Sequence, residues 1–477
     1  MKLSKVMLAV AALAVGSAAV AAPANGRIAY SAGASATKGN LKTALTTLCT
    51  TAGGTLTEFG SGNVSTYACN ASATALTAGS AGTYASSADG TFKNFAGTSF
   101  AELRLNVAAG SFSAVRGLNA IFIDDTNAAL KFRDPILNAE RTKAELVSDR
   151  PGAVYVGGLL DVEPQAFPAA VLTGLQVPVT PSVGIQQAFG VAVSIPLYTE
   201  MFNSQKSAGN ATIAKPIPST CAVTDTSKLE CVPTISKGQM ASVMSATDTN
   251  AAYTNGVNFL ASTVASAGSE LRYIRRVDTS GTQASAQNYF LGLPCSAVSQ
   301  PVTPEPLVEN DEIDAVVPVG FLAAKDLKDV LIGAIRVLAA PGTGDVRAEL
   351  SKSTIQSGSI NYAIGVMSGE NNQTIGNLFR WLRVQGAPMS ENSAPNNGQF
   401  NRAAVINGSY DFYFESVYAA GPAANTGVNT GAGSGIASTF WGPVSNTLKT
   451  LPGTGLVRAS DQLFTKGGAS CAASTAN

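Results

Sequence analysis

The chain has 477 residues, with 31 basic and 31 acidic side chains in balance, 13% of residues charged and no histidine. Balanced charge offers no basic stripe of the kind nucleic-acid binding needs. The lack of histidine removes Ser-His-Asp and Cys-His catalysis, histidine general bases and histidine metal sites together.

The first residues read as a targeting segment. Lys2 and Lys5 precede an apolar run from Val6 to Val15, and small residues follow through Ala22. That pattern predicts a secretory signal peptide over 1–21, cleaved after Ala21. No later run is apolar for long enough to span a bilayer, so the mature chain is expected to be exported to the periplasm without a membrane span. Six cysteines, an even number, suit an oxidising compartment and match no zinc spacing. Proximity pairs Cys49 with Cys69 and Cys221 with Cys231, leaving Cys295 to join Cys471 across a long separation.

Arg27-Ile28-Ala29-Tyr30 predicts a short strand and Ser31 to Thr37 a small-residue loop; Leu41, Ala44, Leu45 and Leu48 then recur at helical spacing. Strand, small-residue loop and helix together can aim backbone N–H groups at an anion. From Thr51 to Phe95 the chain is rich in Gly, Ala, Ser and Thr, and reads as a surface loop. A strand over Phe100–Val107 leads to a second small-residue turn, Ala109-Gly110-Ser111-Phe112-Ser113, and a helix-like stretch to Leu118. Further strands are expected at Ala120–Ile123 and Ala153–Val156. The latter leads to Leu160-Asp161, which puts Asp161 on a loop at a strand's carboxyl end, where open α/β sheets bind ligands.

Residues 176–196 carry two proline-bearing extended pieces and suggest passage to a second lobe. Residues 203–231 read as an excursion clipped by Cys221 and Cys231, and Ser236-Lys237-Gly238-Gln239 has the pattern of a capping box. Strand-like Leu271–Ile274 then runs into Arg276-Val277-Asp278-Thr279-Ser280-Gly281-Thr282, with a helix over Gln283–Phe290. Here a glycine permits a sharp turn, hydroxyls and N–H groups donate, and an arginine supplies a planar charged fork that Asp278 can hold still. Such a run makes a pocket for a tetrahedral oxyanion. Further strands are predicted at Ala315–Phe321, Ile360–Val366 and Tyr410–Glu415, and an amphipathic helix carrying Trp441 at Ile436–Leu448. Gly431-Ala432-Gly433-Ser434-Gly435 follows no strand, so it is no dinucleotide fingerprint. The alternation of strands and helices predicts an α/β fold of two lobes. No cofactor or metal site is indicated.

Taken in order, these pieces resemble the periplasmic phosphate-binding proteins of ABC uptake systems. The Arg-x-Asp-x-Ser-Gly-Thr motif of that family is matched in full by Arg276–Thr282. Gly33-Ala34-Ser35 stands in for its opening Gly-Ala-Gly-Ala-Thr-like loop, and Gly110-Ser111-Phe112-Ser113 for its Gly-Ser-rich turn. Leu160-Asp161 is the counterpart of its Ser-Asp-containing turn. Ile235-Ser236-Lys237-Gly238-Gln239 and Asn361–Val366 resemble a helix start and a strand that the family also carries. The second turn has Phe112 and Ala114 where the family has a glycine run.

The resemblance implies a type II periplasmic-binding fold in which each lobe is a mixed sheet flanked by helices, with the ligand cleft between them. The lobes would be 22–180, 181–400 and a return over 401–477, with hinges near 176–194 and 390–408. It also implies a phosphate site of Ser35, Ser111, Asp161, Arg276, Ser280, Gly281 and Thr282. Asp161 would accept the phosphate's proton and Asp278 would brace Arg276 from behind. The expected protein is a monomer that binds inorganic phosphate, with an ABC transporter permease as partner. Asp161 could instead cap a helix, with Asp278 paired to Arg275 on the surface. Two other functions stay open: a surface-associated protein that keeps the fold for adhesion or assembly, and a phosphatase using Ser280.

Overall fold

The computed structural model describes residues 27–71, 92–108, 110–115, 132–134, 139–141, 154–167, 184–206, 217–226, 228–245, 260–261, 270–295, 303, 329–332, 335–355, 357–371, 379–389, 402–420, 434–451, 456–461, 463–465, 471 and 475–476. The expected signal peptide and the strands expected at 120–123 and 315–321 lie outside the described residues.

The chain begins with β1 (Arg27–Ala32), α1 (Lys38–Thr51), a hairpin of β2 (Thr55–Ser61) and β3 (Val64–Asn70), and β4 (Phe100–Asn106). A small hairpin of β5 (Phe132–Asp134) and β6 (Ala139–Arg141) precedes β7 (Val154–Leu160). A second group follows: β8 (Ile185–Ser194), α2 (Ile195–Lys206), β9 (Thr234–Ile235), α3 (Lys237–Ser245), β10 (Leu271–Arg276) and α4 (Gly281–Ala286). It continues with β11 (Asp329–Ile332), β12 (Ile335–Ala340), α5 (Thr343–Leu350), β13 (Tyr362–Ser368) and β14 (Phe379–Trp381). The described chain then adds β15 (Arg383–Val384), β16 (Ala387–Pro388), α6 (Arg402–Ile406), β17 (Tyr413–Glu415), β18 (Val417–Ala420), α7 (Ser434–Thr450) and β19 (Leu456–Arg458).

Two mixed sheets organise these elements. The first has the order β18-β7-β1-β4-β3-β2, with β1 parallel to both β4 and β7. The second runs β11-β12-β10-β13-β8-β14, with β10 parallel to β12 and β13, and with β17 and β19 also paired to β8. Two apolar clusters underlie the sheets, the larger reaching from the second sheet to Leu160 of β7 and Val417 and Ala419 of β18 in the first. Beside the first, α1 buries Leu41, Leu45 and Leu48 together with Phe440, Trp441 and Val444 of α7. Each such side chain contributes about 1.5–3 kcal/mol when removed from water. On the open face of α1, Thr43, Thr46, Thr47 and Thr51 return their hydroxyls to carbonyls one turn back. Trp441 donates its Nε1–H to the Val156 carbonyl at 2.6 Å, fastening α7 to β7.

The described chain passes directly between the sheets at Ser416. β17 pairs with the first half of β8, and β18, one residue later, pairs with β7 in the other sheet. Ser416 is buried and its N–H reaches the Ile185 carbonyl at 3.1 Å. The alternating aromatic run at Tyr410–Glu415 therefore stays with the second sheet. No helix among the described residues is long and apolar enough to cross a membrane.

One expectation is corrected outright. Residues 55–70, read as loop, form the β2–β3 hairpin on the edge of the first sheet. Small hydroxyl residues obscure its alternation in the sequence, yet threonine suits a pleated surface, and Gly62 turns the chain at φ 71°. Residues 72–91 of that segment lie outside the described residues. The three disulfides join the pairs that proximity predicted, Cys49–Cys69, Cys221–Cys231 and Cys295–Cys471, with Cα separations of 5.4, 5.5 and 5.2 Å. The first ties the end of α1 to β3.

Candidate functional site

Parallel strands end on the same side of their sheet, so the segments after β1, β4 and β7 share one edge of the first sheet. The segments after β10, β12 and β13 share one edge of the second. These two edges touch. The Phe112 N–H donates to the Thr279 carbonyl at 3.0 Å, and Arg276 Nη1 lies 3.5 Å from Ser35 Oγ. The contact at Gly110, in a left-handed conformation at φ 79°, leaves no room for a side chain: an added Cβ would lie 2.7 Å from the Thr279 carbonyl oxygen.

Arg276 is the cation of this edge. It is 2% exposed, and its guanidinium is held on three sides. Nε donates to the Ala340 carbonyl at 3.1 Å, Nη2 to the Pro341 carbonyl at 2.9 Å, and Nη1 to Thr343 Oγ1 at 2.8 Å. Its backbone N–H is taken by Gln283 Oε1 at 3.1 Å. Burial pulls its pKa down to about 10, opposed by the charges of Asp161, Asp345 and Glu370, so it stays cationic near neutrality.

Asp161 follows β7 and is 2% exposed. Its backbone N–H donates to Ser111 Oγ at 3.1 Å. Burial raises the carboxyl's pKa; the Ser111 hydroxyl, the Arg276 charge, its own N–H and the Thr282 hydroxyl act in the opposite sense. Asp161 Oδ1 and Thr282 Oγ1 are both buried without completing a hydrogen bond. Gly281 packs so closely on Asp161 that a Cβ there would lie 1.6 Å from Oδ1 and 3.0 Å from Ser111 Cβ. Its backbone torsions are helical, so glycine is demanded by space rather than by conformation. Ser280 is buried and precedes α4, whose helix runs on through a π-helical turn at Gln287–Leu291.

All seven residues proposed from the sequence thus stand in one connected group. Ser35 meets Arg276, Asp161 meets Ser111, Gly281 and the Arg276 charge, Thr282 acts on Asp161, and Ser280 lies against Gly110. Asp278 is the departure. Its carboxylate pairs with Arg275, whose Nη1 also reaches the Thr303 carbonyl, and the bracing expected of Asp278 on Arg276 is performed by backbone carbonyls. Successive residues of a strand point to opposite faces, so Arg275 and Arg276 face opposite ways and Asp278 lies on the former's side.

Two further residues join the group. Thr343, at the start of α5, bridges Arg276 and Ser35, its Oγ1 3.2 Å from Ser35 Oγ. Its signal was present: Pro341-Gly342-Thr343-Gly344-Asp345 follows apolar β12, the same strand, small turn and helix start as the first unit. Asp345 secures that start by accepting the Gly342 N–H at 2.7 Å. Glu370, two residues past β13, feels both Asp161 and Arg276, and no local pattern announced it.

No protein-family model matches the chain, and no curated protein does. Among solved structures, the crystal structure of a possible phosphate binding protein from Planctomyces limnophilus is similar at 8% identity, over 89% of this chain and 99% of that one, with a TM-score of 0.27. The likeness is distant.

Proposed function

We propose that this chain is an exported solute-binding protein that captures inorganic phosphate between two lobes, one on each sheet, for ABC-type uptake. The observation that carries the reading is that buried Arg276, whose charge acts on Asp161, shares the meeting of the two sheet edges with the buried, unpartnered Asp161 Oδ1 and Thr282 Oγ1. Buried polar atoms are rarely left without partners, and those that are mark places where a ligand completes the set. The donors are the Arg276 fork and the hydroxyls of Ser35, Ser111, Ser280 and Thr282. Phosphate near neutral pH keeps a proton, and Asp161 is the acceptor for it. Sulfate has no proton to give and meets a repelling carboxylate, so the same acid discriminates against it.

The strand pair β8–β17 and the crossing at Ser416 are the natural hinge for closure of two such lobes. Ser280 is a ligand rather than a nucleophile in this reading, because a chain without histidine offers it no imidazole base.

Calorimetric titration of the dialysed protein with phosphate and sulfate tests the reading. The wild type should bind phosphate and exclude sulfate, and Asp161→Ala should lose the discrimination. Equal binding of both anions by the wild type would remove Asp161 from the role given to it. Binding of neither would remove the function.

A further inference from the structure

Glu370 takes no part in the site drawn from the sequence, yet its turn is built with care. The Gly369 N–H is fixed to the Ala188 carbonyl of β8 at 2.8 Å, and the Asn371 N–H returns to the Ser368 carbonyl at 3.2 Å. Glu370 Oε1 accepts from Ser368 Oγ at 2.8 Å and lies 3.5 Å from Asn371 Nδ2. Oε2 is buried with no hydrogen-bond partner, although the residue as a whole keeps part of its surface exposed. The turn sits at the carboxyl end of β13, beside β10, whose own end carries Arg276. Among the described residues the charged groups acting on Glu370 are Asp161 and Arg276.

We propose that Glu370 is a second acid of the anion site, a specificity-determining residue that donates Oε2–H to a bound oxyanion when protonated and bars the anion when ionised. The inference rests on the phosphate reading above.

Charge balance supports it. The Arg276 guanidinium faces the carboxyls of Asp161, Asp345 and Glu370, so with all three ionised the site is negative before any anion enters, in surroundings that screen charge poorly. One acid must therefore hold a proton for an anion to bind. Asp161 has the Ser111 and Thr282 hydroxyls and Arg276 to favour its ionised form. Glu370 has Ser368, its own N–H and Arg276, but also the Asp161 charge against it, and burial with that charge pushes its pKa up to about 8. With its pKa pushed up to about 8, Glu370 holds a proton near neutrality, and its buried, unpartnered Oε2 is then a donor without an acceptor. The pair of acids then has divided roles: Asp161 accepts one proton and Glu370 offers one.

The test is calorimetric titration with inorganic phosphate from pH 6.5 to 9.5 at fixed ionic strength, on the wild type and Glu370→Gln. Above about pH 8 the wild-type affinity should fall by about tenfold per pH unit, as expected for one proton required per anion bound. The amide mimics the protonated acid, so Glu370→Gln should bind at pH 6.5 and show no such fall. At pH 9, titrations in two buffers of different ionisation heat should register nearly one proton taken up per phosphate by the wild type and none by the variant. Absence of proton uptake by the wild type overturns the role even if the variant folds poorly. Superimposable pH profiles, no proton uptake, or a folded variant that fails to bind at pH 6.5 would each overturn the role of Glu370 while leaving phosphate binding intact. Wild type that binds no phosphate at any pH would overturn the functional reading itself.

Discussion

Gly281→Ala isolates the packing on which the site depends. The added Cβ would stand 1.6 Å from Asp161 Oδ1, 2.6 Å from its Cγ and 3.0 Å from Ser111 Cβ. Real Cβ contacts do not fall below 3.0 Å, so the carboxylate must retreat by at least about 1.4 Å. Ser111 restrains that retreat, because its hydroxyl already holds the Asp161 N–H. Alanine would add up to about 1 kcal/mol of helix propensity at this position, whereas overpacking of a buried site costs typically about 1–3 kcal/mol. The clash wins, and we expect a net loss of about 1–2 kcal/mol in urea unfolding. Displacing Asp161 forfeits a hydrogen bond to a charged group, worth about 1.5–3 kcal/mol, so phosphate affinity should fall roughly ten- to a hundredfold. Calorimetry and urea titration on the same preparation read both effects. Unchanged stability would refute the packing argument, and unchanged affinity with lowered stability would refute the place of Asp161 in binding.

Three further expectations concern the neighbours of that contact. Arg276→Gln leaves Asp161 and Glu370 without their shared cation, and should cost about 3–5 kcal/mol in chemical denaturation as well as phosphate binding. Thr343→Val removes the hydroxyl that joins Arg276 to Ser35, and should weaken phosphate binding by about 0.5–1.5 kcal/mol in a titration, with the melting temperature little changed. The folded-state pKa of Glu370 is raised from 4.5 to about 8, so its contribution to stability is complete below pH 4.5 and is lost as pH rises through about 8. The melting temperature of the wild type relative to Glu370→Gln should therefore drop between pH 5 and pH 9. After allowance for the exposed part of the side chain, the drop should correspond to about 1–2 kcal/mol; a constant difference across that range would contradict the burial of Oε2.

Much of the fold is visible where one residue's neighbours in sequence are also its neighbours in space. Leu41, Leu45 and Leu48 share a helix face because the helix repeats every 3.6 residues, and all three are buried. Cys49 and Cys69 lie close in sequence and meet across α1 and β3. The hairpin at 55–70 is not legible in the sequence because its threonines and serines alternate too faintly in hydropathy to mark a face. Its pairing with β4 supplies what the local pattern lacks.

The site divides the same way. The run Arg276–Thr282 is contiguous, so Gly281, the hydroxyls of Ser280 and Thr282 and the Arg276 fork, at fixed spacing, point to an anion without any tertiary contact. Asp161, Ser111 and Ser35 stand after strands, and it is the resemblance to the phosphate-binding proteins that implies they share one site. The amino-acid sequence by itself determined these strand–turn–helix units, because torsional preference and side-chain periodicity are local properties. Only the tertiary structure decided that Asp278 serves Arg275 and not Arg276, since adjacent strand residues face opposite ways and a short loop can reach either. It alone brought Thr343 and Glu370 to the same group, because charge and hydrogen bonding act through space between the ends of strands far apart in the chain.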